Sequence, residues 1–284
     1  MPKQTIVLIS PAELSLESNQ IKIVQDEQEY LRPIEDVRCL LIDNHSVHLT
    51  VPLLNKLSES NVAVVFCNER HLPISMLMDL ASNGMQSKYI RGQIDCQQPQ
   101  KKRIWKQIVE HKIKNQSQLL EKLGYDRNVL KPYYVNVKAG DTSNREGAAA
   151  KVYWKKLFGK DFIRDRFGDA PNNFLNYGYT LLRSFTSRAI MDAGLLPLIG
   201  VFHRNYYNSF PLADDLMEPY RPFVDEKVFE LFQSDKNEVD KSVKQSILQV
   251  FYETATYEEI VSTARTLADI YVGDGEILYY PKLM

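Results

Sequence analysis

The first 80 residues alternate short apolar runs with polar turns, a pattern that predicts strands. Residues 5–10 (TIVLIS) predict one strand, and residues 12–25 (AELSLESNQIKIVQ) predict two strands joined at the polar SNQ turn. The runs VRCLLIDN and NVAVVFCN are continuously apolar, which is typical of strands buried on both faces. Between these two runs, residues 50–60 predict a short helix with Thr50 as its N-cap and Pro52 in its first turn.

From residue 101 onward the apolar positions recur with a helical period, as Ile104, Ile108 and Ile113 show. The preceding segment, residues 82–100, is polar and contains two glycines and a proline, which is typical of a domain junction. Further helices are predicted at residues 143–158, 172–194, 215–233 and 240–271.

These patterns predict an α+β protein of two domains. A small β-rich N-terminal domain (residues 1–88) is followed by a linker (residues 89–100) and a larger all-α C-terminal domain (residues 101–284).

The charge of the chain is unevenly distributed, although its net value is only −1. Residues 101–210 carry 20 Lys and Arg against 9 Asp and Glu, whereas residues 211–284 carry 7 against 15. A basic region of this kind can bind a phosphate backbone. Solvated helix faces packed against an acidic C-terminal third would give the same counts, so both interpretations stay open from charge alone.

Several classes of protein are disfavoured by the sequence. No apolar run reaches membrane-spanning length and the first residues lack a signal core, so we expect a cytoplasmic protein that does not bind membranes. Three scattered cysteines predict buried thiols rather than a zinc site or a disulfide framework. The glycine-rich loops that bind nucleotide phosphates are absent from the sequence.

Glu146 is the first residue with two competing interpretations. With Ser143 it has the spacing of a capping box, in which the serine caps a helix and the glutamate reaches back. It also shares a helix face with Ala150, Tyr153 and Leu157, and a carboxylate on an apolar face needs a partner such as a metal ion, an arginine or a proton.

His203, Asp215 and Glu218 are further candidates. A single histidine after an apolar run is commonly a hydrogen-bonded core residue, and Asp215 and Glu218 could be ordinary acids at a helix start. Pro219 and Pro222 lie four residues after these acids and cannot donate to their carbonyls, which would break the helix. Carboxylates with an imidazole suit Mg²⁺ or Mn²⁺, which indicates a metal-dependent phosphodiester enzyme.

Four segments resemble, in order and spacing, the CRISPR adaptation integrases (CRISPR-associated endonuclease one), and most closely the branch attached to type II systems. They are SNREGAAAKVYWKKLFG, LNYGYTLLRS, GVFHRN and DLMEPYRPFVD, and the resemblance extends to LSLESNQIKI and VVFCNERHLPISMLM near the N-terminus. Four ordered motifs form a specific signal over essentially the whole chain.

The resemblance implies an N-terminal domain that forms a homodimer and a helical domain that holds one Mg²⁺ or Mn²⁺ ion. The catalytic metal ligands would be Glu146, His203 and Glu218, with Asp215 as a nearby acid. The implied partners are CRISPR-associated protein two in a heterohexamer, double-stranded DNA fragments and CRISPR repeat DNA. The type II branch would add its DNA-end-binding ring protein and its effector nuclease.

The implied reaction joins the 3′-OH ends of captured DNA fragments to the repeat array by transesterification. From charge and proximity to the motifs we expect five residues to bind the DNA backbone, namely Arg145, Lys151, Arg183, Arg204 and Arg221. Two alternatives stay open: a stand-alone metal-dependent structure-specific DNA nuclease, and a DNA-binding scaffold whose acids only cap helices and form salt bridges.

Overall fold

The computed structural model of the chain describes residues 4–69, 73–77, 83–253 and 256–283. It divides into two compact units, residues 1–81 and 82–284. The first unit is rich in strands and the second is helical, which confirms the predicted α+β class and the order of its two parts. Within these described ranges, no helix is long and apolar enough to cross a membrane.

In the described part of the N-terminal unit, the chain forms two four-stranded sheets and one α-helix. One sheet has the order β1-β5-β7-β8 and the other the order β4-β3-β2-β6. Their strands are β1 (Gln4–Leu8), β2 (Ala12–Glu17), β3 (Gln20–Gln25), β4 (Gln28–Pro33), β5 (Val37–Ile42), β6 (Val47–Leu49), β7 (Ala63–Cys67) and β8 (Pro73–Leu77). Helix α1 (Val51–Glu59) has Thr50 at its N-cap as predicted, but the Thr50 side chain makes no capping bond.

The two continuously apolar runs form β5 and β7, which pair in parallel and are almost entirely buried. This result agrees with the prediction of strands covered on both faces. The sequence pattern did not reveal β4, because all but its last residue are exposed and no apolar alternation marks it. Residues 70–72 and 78 of the resembling segment and residue 82 of the junction segment lie outside the described residues.

The C-terminal unit is built around a long central helix. Its helices are α2 (Gln86–Asp95), α3 (Gln98–Lys122), α4 (Lys131–Tyr134), α5 (Arg145–Phe158), α6 (Asn172–Asp192), α7 (Pro211–Leu216), α8 (Arg221–Gln233), α9 (Lys241–Glu253) and α10 (Thr256–Val272). The apolar stripe of α3, marked by Ile104, Ile108 and Ile113, is fully buried. Helix α3 packs against α4, α5, α7 and α8, so it is the central helix that the candidate site residues of α5 and α7 lie against.

Helices α6 and α8 approach each other unusually closely at Gly178. A Cβ atom at this position would lie 2.4 Å from Cγ1 of Val224, so only glycine permits this contact. The contact brings the start of α8 against α6, and that start lies just after Glu218.

Two predicted helices differ from the structure. The predicted helix 215–233 is instead α7, a 3₁₀ turn over Glu218–Tyr220 and α8, because Pro219 and Pro222 cannot donate backbone hydrogen bonds. The predicted helix 240–271 is described as two helices that pack against each other, α9 and α10, on either side of residues 254 and 255. Those two residues lie outside the described ranges.

Helix α2 covers the end of the predicted N-terminal domain (1–88) and much of the predicted linker (89–100). A buried polar side chain, that of Gln93, anchors it to a distant loop. The Gln93 amide donates to the carbonyls of Leu196 and Ile199, at 2.9 Å each, and accepts from the Leu196 N–H at 3.0 Å. Because these three bonds come from a distant loop, the local sequence of α2 carried no helical signal.

Candidate active site

Glu146 lies in the first turn of α5, but it does not serve as a cap. Asn144 occupies the N-cap, and its side chain accepts from the Gly147 N–H at 3.1 Å. Asp141 accepts from the N–H groups of Arg145 at 2.8 Å and Glu146 at 3.0 Å. The capping-box interpretation with Ser143 is therefore wrong, because Asn144 and Asp141 already satisfy the helix start. The Glu146 carboxylate is left to point elsewhere.

That carboxylate meets the side chain of Lys112, which reaches it from α3. The Lys112 ammonium lies 2.5 Å from Oε1 of Glu146 and also contacts Oε2 of Glu218. Lys112 is 8% exposed and Glu218 is 4% exposed. One buried cation thus joins two of the three residues implied as metal ligands.

The other oxygen of Glu218 is held by Arg221, whose guanidinium lies 2.8 Å from Oε1. Arg221 also stacks on the ring of Tyr179, with 4.5 Å between the guanidinium carbon and the ring centroid. The Tyr179 hydroxyl and the Tyr153 hydroxyl both donate to the buried carboxylate of Asp225. This network ties α5, α6 and α8 together behind the site.

His203 and Asp215 form a second group. Nδ1 of His203 lies 2.6 Å from Oδ1 of Asp215, and Asp215 is completely buried. The same carboxylate accepts from the backbone N–H groups of Val201, Phe202 and His203 at 2.6, 2.9 and 3.2 Å. Asp215 therefore fixes both the loop that carries His203 and the ring itself, and Nε2 is the imidazole nitrogen that remains for a ligand.

The His203–Asp215 pair and the cluster of Lys112, Glu146 and Glu218 differ in the interactions that shift their pKa values. The hydrogen bond between the His203 ring and the accepting Asp215 carboxylate raises the pKa of His203, although burial of the ring opposes the shift. Burial would raise the pKa of Glu218, but Arg221 and Lys112 outweigh burial and lower it. Burial likewise opposes the charge of Lys112, and the carboxylates of Glu218 and Glu146 raise its pKa. The ammonium and the Glu218 carboxylate are therefore both charged at neutral pH.

The types of donor in these side chains, carboxylates and an imidazole, are those that bind Mg²⁺ or Mn²⁺. Two carboxylates already converge on one cation, and a histidine whose Nδ1 is held by a carboxylate is the usual form of a metal-ligating histidine. Among the residues that the structure describes, no three His, Cys, Asp or Glu side chains are gathered closely enough to hold an ion. The ammonium of Lys112 lies where the two glutamates meet.

The five cations expected to bind DNA lie in different environments. Arg204 is exposed and contacts Gln98, and Arg183 is paired with Asp214 at 2.6 Å. Arg145 is half-buried, and Arg221 is engaged by Glu218. Lys151 lines a cavity of about 700 Å³ at the far end of α5, together with three further lysines and with aromatic side chains.

The sequence interpretation missed Lys112, Asp141 and Asp225. A signal for Lys112 existed, because it follows Ile104 and Ile108 at intervals of four and therefore lies on the apolar stripe of α3. A lysine on such a stripe needs a buried anion, which is what the structure shows. Asp225 carried no such signal, because its tyrosine partners come from other helices.

Comparison with solved structures shows the same fold in several proteins. A casposase bound to its integration product has a TM-score of 0.81 at 22% identity, covering 97% of this chain and 92% of that chain. A CAS1 protein from Thermotoga maritima has a TM-score of 0.78 at 18% identity, with coverages of 98% and 100%. The chain of a Cas6-RT-Cas1–Cas2 complex has a TM-score of 0.71 at 18% identity, with coverages of 98% and 36%.

Comparison of sequences identifies the family. The CRISPR-associated endonuclease Cas1 of Neisseria meningitidis serogroup C (strain 8013) is 34% identical over 256 residues, which are 89% of this chain and 84% of that protein. An endonuclease of the same name from Saccharolobus solfataricus is 28% identical, with coverages of 92% and 78%. The family model described as CRISPR associated protein Cas1 matches residues 6–263. The chain therefore belongs to the Cas1 family of CRISPR-associated proteins.

Proposed function

We propose that this chain is a divalent-metal-dependent DNA integrase and endonuclease of CRISPR adaptation. The observation that carries the proposal is the convergence of Glu146 and Glu218 on one buried cation, Lys112, in a chain of the Cas1 family. Relatives are named endonucleases, and a chain of the same fold is a casposase bound to an integration product. The reaction would join the 3′-OH of a DNA fragment to a phosphodiester of the repeat array by transesterification.

Glu146, His203 and Glu218 would hold a Mg²⁺ or Mn²⁺ ion. When bound, such an ion polarises a phosphoryl oxygen and favours deprotonation of the attacking hydroxyl. The chain itself supplies positioning. Asp215 orients the His203 ring through Nδ1, and Arg221 fixes the direction of the Glu218 carboxylate. Few catalytic side chains are needed, because phosphoryl transfer depends mainly on positioning and charge neutralisation.

The DNA would lie against the basic region of residues 101–210. Arg204 and Lys151 have exposed cationic side chains that can neutralise phosphates. Arg145, Arg183 and Arg221 already have buried surface or a carboxylate partner, so we expect weaker direct contributions from them. Sequence-independent contacts of this kind position a strand without selecting its bases.

We further propose that the chain forms a homodimer through its N-terminal unit and assembles with Cas2 into a heterohexamer. A solved complex that contains Cas1 and Cas2 includes a chain of this fold, which supports the choice of partner. Captured double-stranded fragments and CRISPR repeat DNA would be the substrates. The DNA-end-binding ring protein and the effector nuclease of type II systems would be additional partners.

A strand-transfer assay tests the proposal. The full chain and Cas2 are incubated with Mn²⁺, a short duplex with 3′-OH ends and a plasmid that carries the repeat. We expect joined products from the wild type and none from Glu146→Ala or His203→Ala. Glu121→Ala changes an exposed glutamate of α3 and serves as the matched control, which should retain activity. Full activity of a folded Glu146→Ala protein would contradict the site assignment.

A second assay, with branched DNA and without Cas2, tests the alternative of a stand-alone structure-specific nuclease, which the names of the relatives favour. That alternative predicts cleavage of branched DNA by the chain without Cas2 and no joining of 3′ ends. Calorimetry that detected no binding of Mn²⁺ by the folded chain would instead support a DNA-binding scaffold.

A further inference from the structure

Lys112 occupies the point at which the Glu146 and Glu218 carboxylates meet. Its ammonium lies 2.5 Å from Oε1 of Glu146 and contacts Oε2 of Glu218, and the residue is 8% exposed. A lysine this buried, with its ammonium on two carboxylates, is not positioned as a surface cation for a phosphate backbone. Its location therefore needs an explanation in terms of the two carboxylates.

The charges around this point are balanced. Lys112 and Arg221 contribute two positive charges, and Glu146 and Glu218 contribute two negative charges. The Glu218 carboxylate is buried and the Glu146 side chain is 26% exposed, so loss of the cations would be strongly destabilising mainly through Glu218, which is separated from water. A balanced set, however, attracts a further divalent cation only weakly. The cation already present has to leave before another can bind well.

The two cations are not equally free to leave. Arg221 is held by Glu218 and by stacking on Tyr179, and its planar guanidinium is fixed by both contacts. Lys112 holds its charge at the tip of a flexible four-carbon chain and contacts the carboxylates only through that tip. Of the two, Lys112 is the one that can be exchanged while the helices stay in place.

We propose that Lys112 is an internal counter-ion, which holds Glu146 and Glu218 together before the divalent ion binds and is displaced by that ion. The inference rests on the proposed function, since it takes the two glutamates as metal ligands. Lys112 is thus a positioning residue, and its presence weakens metal binding by competition. The gain is a metal-free site in which the buried Glu218 carboxylate and the partly buried Glu146 carboxylate both keep a cationic partner.

Calorimetric titration of Mn²⁺ into the full chain tests the competition. Lys112→Met keeps the length of the side chain and removes its charge, and Lys122→Met makes the same change on the exposed end of α3. We expect Lys112→Met to bind Mn²⁺ about tenfold more tightly or better, which corresponds to about 1.4 kcal/mol. In EDTA, Lys112→Met should melt at a lower temperature than the wild type, and Mn²⁺ should restore most of the loss. Lys122→Met should match the wild type in both measurements.

A second measurement uses the wild type alone and decides the matter if Lys112→Met does not fold. Reductive methylation followed by mass spectrometry reports how accessible each lysine amine is. We expect Lys112 to be protected in EDTA and to be methylated faster when Mn²⁺ is bound, with Lys122 as an unchanged reference. Equal protection of Lys112 with and without bound Mn²⁺ would overturn the inference, as would unchanged or weaker Mn²⁺ affinity of a folded Lys112→Met protein.

The Mn²⁺ titrations also distinguish a failure of the Lys112 inference from a failure of the proposed function. Absence of Mn²⁺ binding by the wild type and by Lys112→Met would contradict the proposed metal site. Mn²⁺ binding that Glu146→Ala abolishes but Lys112→Met leaves unchanged would support the proposed site and overturn only the role of Lys112.

Discussion

Asp215 and Glu218 are three residues apart in one short segment, yet they belong to opposite kinds of environment. Asp215 is completely buried and is satisfied by three backbone N–H groups and the His203 ring. Glu218 is also buried, but its two oxygens contact the cations Lys112 and Arg221. The pKa of Asp215 is raised, mainly by burial, whereas the two cations lower the pKa of Glu218.

This difference separates two tasks. The Asp215 carboxylate, which accepts hydrogen bonds from three backbone N–H groups, holds the loop in place and orients the His203 imidazole. A carboxylate whose partners are the side-chain cations of Lys112 and Arg221 has oxygens that can coordinate a metal ion when a cation is displaced. We therefore infer that Asp215 acts through the loop and His203, and that Glu218 acts as a ligand.

The largest effect is expected for Asp215→Ala. The substitution leaves three backbone donors and the His203 ring without their acceptor, so the free energy of unfolding should fall by about 3 kcal/mol or more. Urea denaturation of the full chain measures the change. Asp214→Ala, on the same helix, removes the hydrogen bonds that the Asp214 carboxylate accepts from the side chains of Arg183 and Asn208. It should lower the free energy of unfolding by less than Asp215→Ala does. Equal decreases in the free energy of unfolding for the two variants would show that Asp215 contributes no more to stability than Asp214 does.

The next largest effect is expected for Glu218→Gln. An amide cannot serve as an anionic ligand, so strand transfer in Mn²⁺ should fall by about 100-fold or more. Its free energy of unfolding should fall by less than that of Asp215→Ala, because Glu146 still neutralises Lys112. The assay is strand transfer by the variant with Cas2, alongside urea denaturation of the same preparation. Activity within a factor of about three of the wild type would place Glu218 outside the metal site.

The pH dependence of Mn²⁺ binding tests whether His203 is a metal ligand. Its pKa is raised above the ordinary 6.5 by Asp215, so the ring stays protonated to a higher pH than a free histidine does. Since a metal binds the unprotonated ring, Mn²⁺ affinity should fall by up to about tenfold per pH unit as the pH drops below this raised pKa.

Calorimetry between pH 6 and pH 8 measures this slope. His203→Ala should bind Mn²⁺ more weakly and lose most of the pH dependence. An affinity of the wild type that is the same at pH 6 and pH 8 would show that His203 does not bind the ion.

The smallest effect is expected for Arg204→Ala. This substitution alters an exposed cation that contacts neither Asp215 nor Glu218. The slope of log affinity for DNA against log salt concentration should decrease by about 1, because one phosphate contact is lost. Fluorescence anisotropy at several salt concentrations measures the slope. Lys227→Ala, whose side chain pairs with Glu230 on α8, is the control and should leave the slope unchanged. A larger change for Lys227→Ala would mean that DNA lies on α8 instead.

The sequence predicted some elements well because their signals are local. The apolar runs of β5 and β7, the polar turn between β2 and β3 and the stripe of α3 each lie within one segment. Helix α2 had no such signal, since Gln93 is anchored by the carbonyls of Leu196 and Ile199 about a hundred residues later. The prolines at 219 and 222 did indicate a broken backbone, but the boundaries of α7 and α8 depended on how that backbone packs.

The candidate site divides in the same way. The sequence alone determined that Glu146 lies on an apolar helix face, that the middle of the chain is basic and that the four motifs resemble one family. Only the tertiary structure decided that Asn144 and Asp141, rather than Ser143, cap α5, and that Lys112 lies between the two glutamates. The physical reason is that helix faces and turns follow from neighbouring residues, whereas a buried charge is defined by its partner. Here the partners come from α3 and α5 and from the 3₁₀ turn before α8, segments that are brought together only by folding.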